Sequence, residues 1–170
     1  MKAVYKLMRN NDSHVYLMLS QAPSVQMDMH KYIFAALESG LQPVDEGRYY
    51  KVDKSGKAIL NVRGKAAASE RLMLFSRSGK ARRGDAPVQL TFTCERPPVK
   101  TSYSTQKNEG FLTQLIEQST HEHEVCGDFF SGSGMFGKCA LSLNRIVYLI
   151  ETLQATIDDF ILPKIQPFIL

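Results

Sequence analysis

The chain has 170 residues, a formal net charge of +4 and 44% hydrophobic residues. That is one domain's worth of chain with enough apolar material for a core, which excludes a disordered polymer. No apolar run reaches the ~20 residues of a bilayer-spanning helix, and the start Met1-Lys2-Ala3-Val4-Tyr5-Lys6 lacks a signal-peptide pattern, so a cytoplasmic protein without a membrane partner is expected.

Residues 2–10 read as the end of a helix. The apolar run His14–Leu19, bounded by polar residues, predicts a buried strand. Pro23-Ser24 opens a helix whose apolar face includes Met27, Tyr32, Ile33, Ala36 and Leu37, and Gly40 stands in its C′ position. Strands are predicted near Leu41–Val44 and Arg48–Val52, a glycine-punctuated loop over Lys54–Gly64, and another strand over Glu70–Ser76. Residues 77–100 form a basic stretch with Arg77, Lys80, Arg82 and Arg83 at its start and one strand candidate, Val88–Thr93. Clustered cations at glycine-rich turns suit phosphate contact, and equally a solvated loop.

Asn108 caps a predicted helix with Phe111, Leu112, Leu115, Ile116 and Ser119 on one face. A strand follows at Glu124–Phe129, a tight loop at Phe130–Gly134, a helix at Met135–Leu143 and a strand at Arg145–Ile150. A helix near 153–160 and an apolar tail, Ile165–Leu170, close the chain. Strands alternating with helices predict an α/β fold with a mostly parallel sheet flanked by helices.

Cys94, Cys126 and Cys139 are odd in number and widely spaced, so neither a disulfide framework nor a metal knuckle is expected. His121 and His123 have no second ligand pair, and no metal site is assigned.

The chemistry concentrates at Gly132-x-Gly134-x-x-Gly137. A strand leads into these glycines and a helix leaves them. Glu151 stands at the end of the next strand, about 20 residues after the first glycine, where a carboxylate can accept two ribose hydroxyls. This pattern predicts a nucleoside-cofactor site at the carboxyl edge of a sheet. Only 33 residues follow Gly137, few for the second half of a dinucleotide fold. Asp128, just before the loop, would repel a pyrophosphate and suits a cationic ligand such as S-adenosylmethionine.

Tyr103-Ser104-Thr105-Gln106-Lys107, then Phe111-Leu112-x-x-Leu115-Ile116, Asp128-Phe129-Phe130-Ser131-Gly132-Ser133-Gly134 and Arg145-Ile146-Val147-Tyr148-Leu149-Ile150-Glu151 follow one another in an ordered composite. The composite resembles the permuted, β-type DNA N6-adenine and N4-cytosine amino-methyltransferases. Glu70-Arg71-Leu72-Met73-Leu74-Phe75 is similar to a further strand of that family. The resemblance implies a Rossmann-like S-adenosylmethionine-dependent methyltransferase fold with DNA as substrate. It divides the single domain into a target-side half (1–76), a variable DNA-contact segment (77–100) and a cofactor half (101–170). It makes Ser104, Thr105, Lys107, Asp128, Phe130, Gly132, Gly134 and Glu151 the expected cofactor contacts. Arg77, Lys80, Arg82 and Arg83 become the expected DNA contacts. The compact layout resembles phage-borne relatives, hence a bacterial or phage-infected host cell and a role in DNA modification.

The departures from the family pattern are specific. Tyr103-Ser104 replaces His-Pro, Asn108 replaces a proline, and Phe129 replaces the proline after the loop aspartate. The family's Asp/Asn/Ser-Pro-Pro-aromatic motif, expected before the His14 strand, is missing. Arg96-Pro97-Pro98-Val99 has neither its polar first residue nor its aromatic fourth. A second subunit supplying that motif, a homodimer, a divergent enzyme, or a degenerate cofactor-binding or DNA-associated accessory protein would each accommodate the gap.

Overall fold

The computed structural model of the chain describes residues 1–20, 23–59, 69–95, 103 and 106–169. It divides into two compact units: Met1–Arg82 with Val88–Glu95, and Arg83–Pro87 with Arg96–Leu170. Among the described residues no helix is long and apolar enough to cross a membrane.

The first unit opens with a short helix, α1 (Lys2–Leu7), and the strand β1 (Val15–Ser20). Helix α2 (Pro23–Glu38) starts on proline, whose fixed φ and missing N–H suit a first helical turn. It ends as expected at Gly40, whose φ of 93° only glycine adopts readily. The two strands expected at 41–52 are one, β2 (Gln42–Val52), with a bulge between Pro43 and Asp45. Strand β3 (Ser69–Ser76) is the most buried element of this unit. Ala36, Leu41, Met73 and Phe75 form a core, with Tyr5, Met8, Val15, Leu17 and Ile33 packed against it.

The sheet order is β1-β3-β2-β4, with β4 at Phe92–Glu95. β3 runs antiparallel to both neighbours, and β4 runs parallel to β2. The expectation of a mostly parallel sheet is therefore corrected to a mixed one. β1 and β2, joined through α2, do point the same way, as a strand–helix–strand unit dictates. β3 returns directly from β2, with no helix among the described residues between them, and inserts antiparallel into the gap. The strand expected at Val88–Thr93 is displaced to 92–95. The Leu90 carbonyl occupies the space where a side chain on Gly47 would begin, so the stretch before β4 already lies close against β2.

The start of the basic stretch is tied to this unit. The Arg82 N–H donates to His14 Nε2 at 2.8 Å, and the other ring nitrogen of His14 lies 3.2 Å from the Tyr16 hydroxyl. Nε2 is therefore the acceptor and Nδ1 carries the proton. Burial, then the Arg82 charge, lower the His14 pKa to about 4, with Asp12 opposing.

In the second unit, α3 (Glu109–Glu117) is capped by Asn108, whose side chain accepts from the Phe111 N–H at 3.1 Å. It buries Phe111, Leu112, Leu115 and Ile116. Strand β5 (Val125–Asp128), helix α4 (Met135–Ser142) and strand β6 (Ile146–Leu149) form a parallel βαβ unit, paired Val125↔Ile146 through Asp128↔Leu149. Cys126 and Cys139 are free and buried in it, acting as small core residues. Residues 154–168 are helical, with a π-helical turn at Ile157–Ile161.

Arg145, only 4% exposed, opens β6. Its guanidinium donates to the Leu143 and Thr120 carbonyls, to the Thr120 hydroxyl and to the Asp85 carboxylate. His121 also binds Asp85, and these two partners, His121 first, hold the Asp85 pKa below the usual range. Asp85 thus belongs to this network although it lies in the stretch expected to be variable.

Replacing Arg145 by Met should take its donors from the Leu143 and Thr120 carbonyls, leave Asp85 with His121 alone of these two partners, and cost about 2 kcal/mol in denaturant unfolding. His14 gives a pH signature. Its folded pKa is depressed, so the unfolded chain takes up the proton first, and stability should fall as pH drops from 6.5 towards about 4. The His14→Gln variant should flatten that part of the curve in urea titrations at stepped pH.

Candidate functional site

The strand–glycine–helix segment places its glycine loop at the carboxyl ends of β5 and β6. As the chain leaves β5, the Asp128 side chain accepts the Phe130 N–H at 3.0 Å. The Ser131 hydroxyl lies 3.0 Å from the Asp128 carbonyl and 3.1 Å from that of Ile150. The Ser131 N–H also donates to the Ile150 carbonyl, and the Ile150 N–H to the Asp128 carbonyl. These bonds lash the loop to the end of β6.

Gly132 and Gly134 have φ of 45° and 71°, in the left-handed region. Side chains would be excluded there by space as well. A Cβ on Gly132 would stand 3.0 Å from the Tyr103 hydroxyl, and one on Gly134 would stand 2.9 Å from the Ile161 Cα. Gly137 serves packing: a Cβ there would collide with a Leu149 methyl, so the glycine lets α4 lie close on β6.

Glu151 turns towards the loop. One carboxylate oxygen accepts the Gly132 N–H at 3.0 Å; the other accepts the N–H groups of Thr152 at 2.7 Å and Leu153 at 3.2 Å. These bonds, the Leu153 one first, hold its pKa below the usual carboxylate range. Asp128 behaves in the opposite way. Burial raises its pKa and the nearby Glu151 adds to this, while the Phe130 N–H and Lys107 oppose it. Phe130 stands out from the loop, 92% exposed.

The structure therefore gathers Asp128, Gly132, Gly134 and Glu151 at one loop, with Phe130 projecting from it. Lys107 is near enough for its charge to act on Asp128. Ser104 and Thr105 lie outside the described residues. Neither the π-helical turn against Gly134 nor the Tyr103 ring on Gly132 was read from the sequence, because no local periodicity marks either contact. Among the described residues no group of three or more His, Cys, Asp or Glu could hold a metal ion.

The expected DNA contacts divide by environment. The Arg77 guanidinium lies 4.3 Å from the centre of the Tyr5 ring and donates to the Tyr5 carbonyl, so it serves the fold. Arg82 is half-buried, while Lys80 and Arg83 are exposed.

The arrangement offers carboxylates and an exposed aromatic ring around a bare-backbone bend, a set that fits a cationic nucleoside. The N6/N4 family model, described as DNA methylase, matches residues 14–161. No curated protein matches the chain by sequence. Among solved structures, the M1.HpyAVI–SAM complex is 18% identical with a TM-score of 0.72, over 96% of this chain and 79% of that one. The cytosine-N4-specific PvuII DNA methyltransferase is 12% identical with a TM-score of 0.71, over 95% and 65%. A DNA modification methylase from Thermus thermophilus, TTHA0409, complexed with S-adenosyl-L-methionine, is 11% identical with a TM-score of 0.70, over 99% and 74%. At these identities the likeness carries the fold, a Rossmann-like methyltransferase fold. The match of the family model over most of the chain carries the rest: this chain belongs to the N6/N4 DNA methylase family.

Proposed function

We propose that the chain is the cofactor-binding part of an S-adenosylmethionine-dependent DNA amino-methyltransferase, acting on adenine N6 or cytosine N4. The observation that carries the reading is the Gly132 amide held on the Glu151 carboxylate, which joins a bare-backbone bend to an acid one strand away. Bound S-adenosylmethionine supplies an electrophilic methyl group on a sulfonium. Glu151 would take the ribose hydroxyls with its remaining acceptor capacity. Asp128, with Lys107 beside it, would meet the ammonium and carboxylate end, Gly132 and Gly134 would let the ligand approach backbone, and Phe130 would cover it. Ser104 and Thr105 complete the set by resemblance to the family. In this reading 101–170 is the cofactor half, 1–76 the target-side half and 77–100 the DNA-contact segment.

The acceptor needs more than this chain visibly carries. An exocyclic amino group is a poor, delocalised nucleophile; the base must be flipped out, stacked and presented in line while its nitrogen loses a proton. The Asp/Asn/Ser-Pro-Pro-aromatic motif does that in the family and is missing from this sequence. A second polypeptide, or a further segment of the same one, that supplies it in an enzyme of phage or mobile-element type within a bacterial cell would join the cofactor loop to an acceptor site. The missing motif also favours a second reading, an accessory protein that binds S-adenosylmethionine without catalysis.

Calorimetry should show saturable binding of S-adenosylmethionine and none of NAD, with Glu151→Ala weakening the former roughly 10- to 100-fold through loss of charged hydrogen bonds. Absence of S-adenosylmethionine binding would overturn the cofactor reading. The isolated chain should transfer no labelled methyl to unmodified DNA; transfer would overturn the need for a partner. For DNA, Lys80→Ala and Arg83→Ala should each weaken binding evenly across sequences and lower the salt slope by about one, whereas Arg77→Ala should chiefly lower stability.

A further inference from the structure

We propose that Tyr103 is a positioning residue for the cofactor site: its ring lies on Gly132 and holds the glycine bend where the Gly132 amide meets the Glu151 carboxylate. The inference rests on the cofactor reading above and adds a residue at a place where the chain departs from its family, which carries His-Pro in place of Tyr103-Ser104.

The contact is close. A side chain on Gly132 would begin 3.0 Å from the Tyr103 hydroxyl, 3.2 Å from its Cε1 and 3.3 Å from its Cζ. The phenol edge therefore fills the space that any other residue at 132 would claim. The ring is itself held. Phe160 meets it edge-on, with centroids 5.1 Å apart and planes at 72°. The next residue, Ile161, is the one that Gly134 abuts. Both lie in the π-helical turn Ile157–Ile161, a form often found at functional sites. Consecutive residues of one turn thus back the two positive-φ glycines, Phe160 through Tyr103 and Ile161 directly.

The opposite face of the Gly132 peptide gives the contact its consequence. Its N–H points to Glu151, whose other partners are its own neighbours Thr152 and Leu153. Without a ring behind Gly132, this peptide relies on the Gly134 N–H at its Ser131 carbonyl and on the Glu151 bond, and its N–H goes more readily to water. Glu151 would then keep its local bonds and lose its tie to the loop. What is required is bulk against the Cα, and the hydroxyl and the Cε1–Cζ edge of the ring supply it together.

The test follows the Gly132 amide itself. In the full chain, exchange of that amide should be about tenfold faster in Tyr103→Ala, and Tyr103→Phe, which keeps the ring edge and loses the hydroxyl, should lie between Tyr103→Ala and the wild type. S-adenosylmethionine affinity should fall about tenfold in Tyr103→Ala. Its loss should not add to that of Gly132→Ala, since the two substitutions disturb one contact. Should Tyr103→Ala fail to fold, Tyr103→Leu reports the same exchange. Unchanged Gly132 exchange in the folded variant, or strictly additive losses, would overturn the positioning role even if the wild type binds S-adenosylmethionine. Faster exchange in a protein that never binds S-adenosylmethionine would uphold the role and remove the cofactor reading.

Discussion

A single hydrogen bond, from the Gly132 N–H to the Glu151 carboxylate, ties the loop after β5 to the end of β6. Parallel strands cannot be joined by a tight turn, so α4 separates the two ends in sequence; this cross-link, the Ser131–Ile150 bonds and the Ile150 N–H at the Asp128 carbonyl join them again in space. The bond needs a backbone that turns through a left-handed conformation, hence glycine. It also needs a carboxylate that stays ionised, which the Thr152 and Leu153 amides ensure by lowering its pKa. The two acids of the site are thereby set apart. Hydrogen bonds lower the Glu151 pKa, while burial raises that of Asp128.

The two sides of methyl transfer make different physical demands. Gripping a sulfonium nucleoside calls for oriented carboxylates and close backbone approach, and those are local to one βαβ unit. Activating an amino nitrogen calls for a stacked base, acceptors for its protons and in-line placement to within about half an ångström. Nothing in the first demand supplies the second. A cofactor loop in good order is therefore no guarantee of the acceptor chemistry, and binding and turnover are separable properties.

Sequence reading succeeded where the determinants are local. The Asn108 cap, the Gly40 terminus, the glycine loop and the distance from Gly132 to Glu151 are all matters of short-range spacing, and the structure has each of them. It failed where partners are remote. Strand–helix alternation implied parallel neighbours, but β3 occupies the place between β1 and β2, and alternation carries no information about insertion. Arg145 read as the start of a strand; its bonds to Thr120 and to Asp85, 60 residues earlier, have no signature in the chain. Tyr103 was legible as part of a motif, yet its ring contact with Gly132 depends on Phe160, far along the sequence.

The basic stretch shows how composition misleads about charge. The four cations at its start look equivalent in sequence, and a net charge of +4 invites assigning them all to a polyanion. In the fold they differ. Arg77 spends its guanidinium on Tyr5, and Arg82 gives its backbone N–H to His14. Ser78 reaches Asp12, and the Lys80 N–H is taken by Ser76 and Ser78. These bonds stiffen the backbone while leaving the Lys80 side chain exposed. A flexible loop would lose more conformational freedom on meeting a phosphate than one already pinned by its own amides. The residues that look like surplus positive charge thus differ in environment, some holding the turn in shape and others exposed on it, and only an exposed cation can displace counterions from a polyanion.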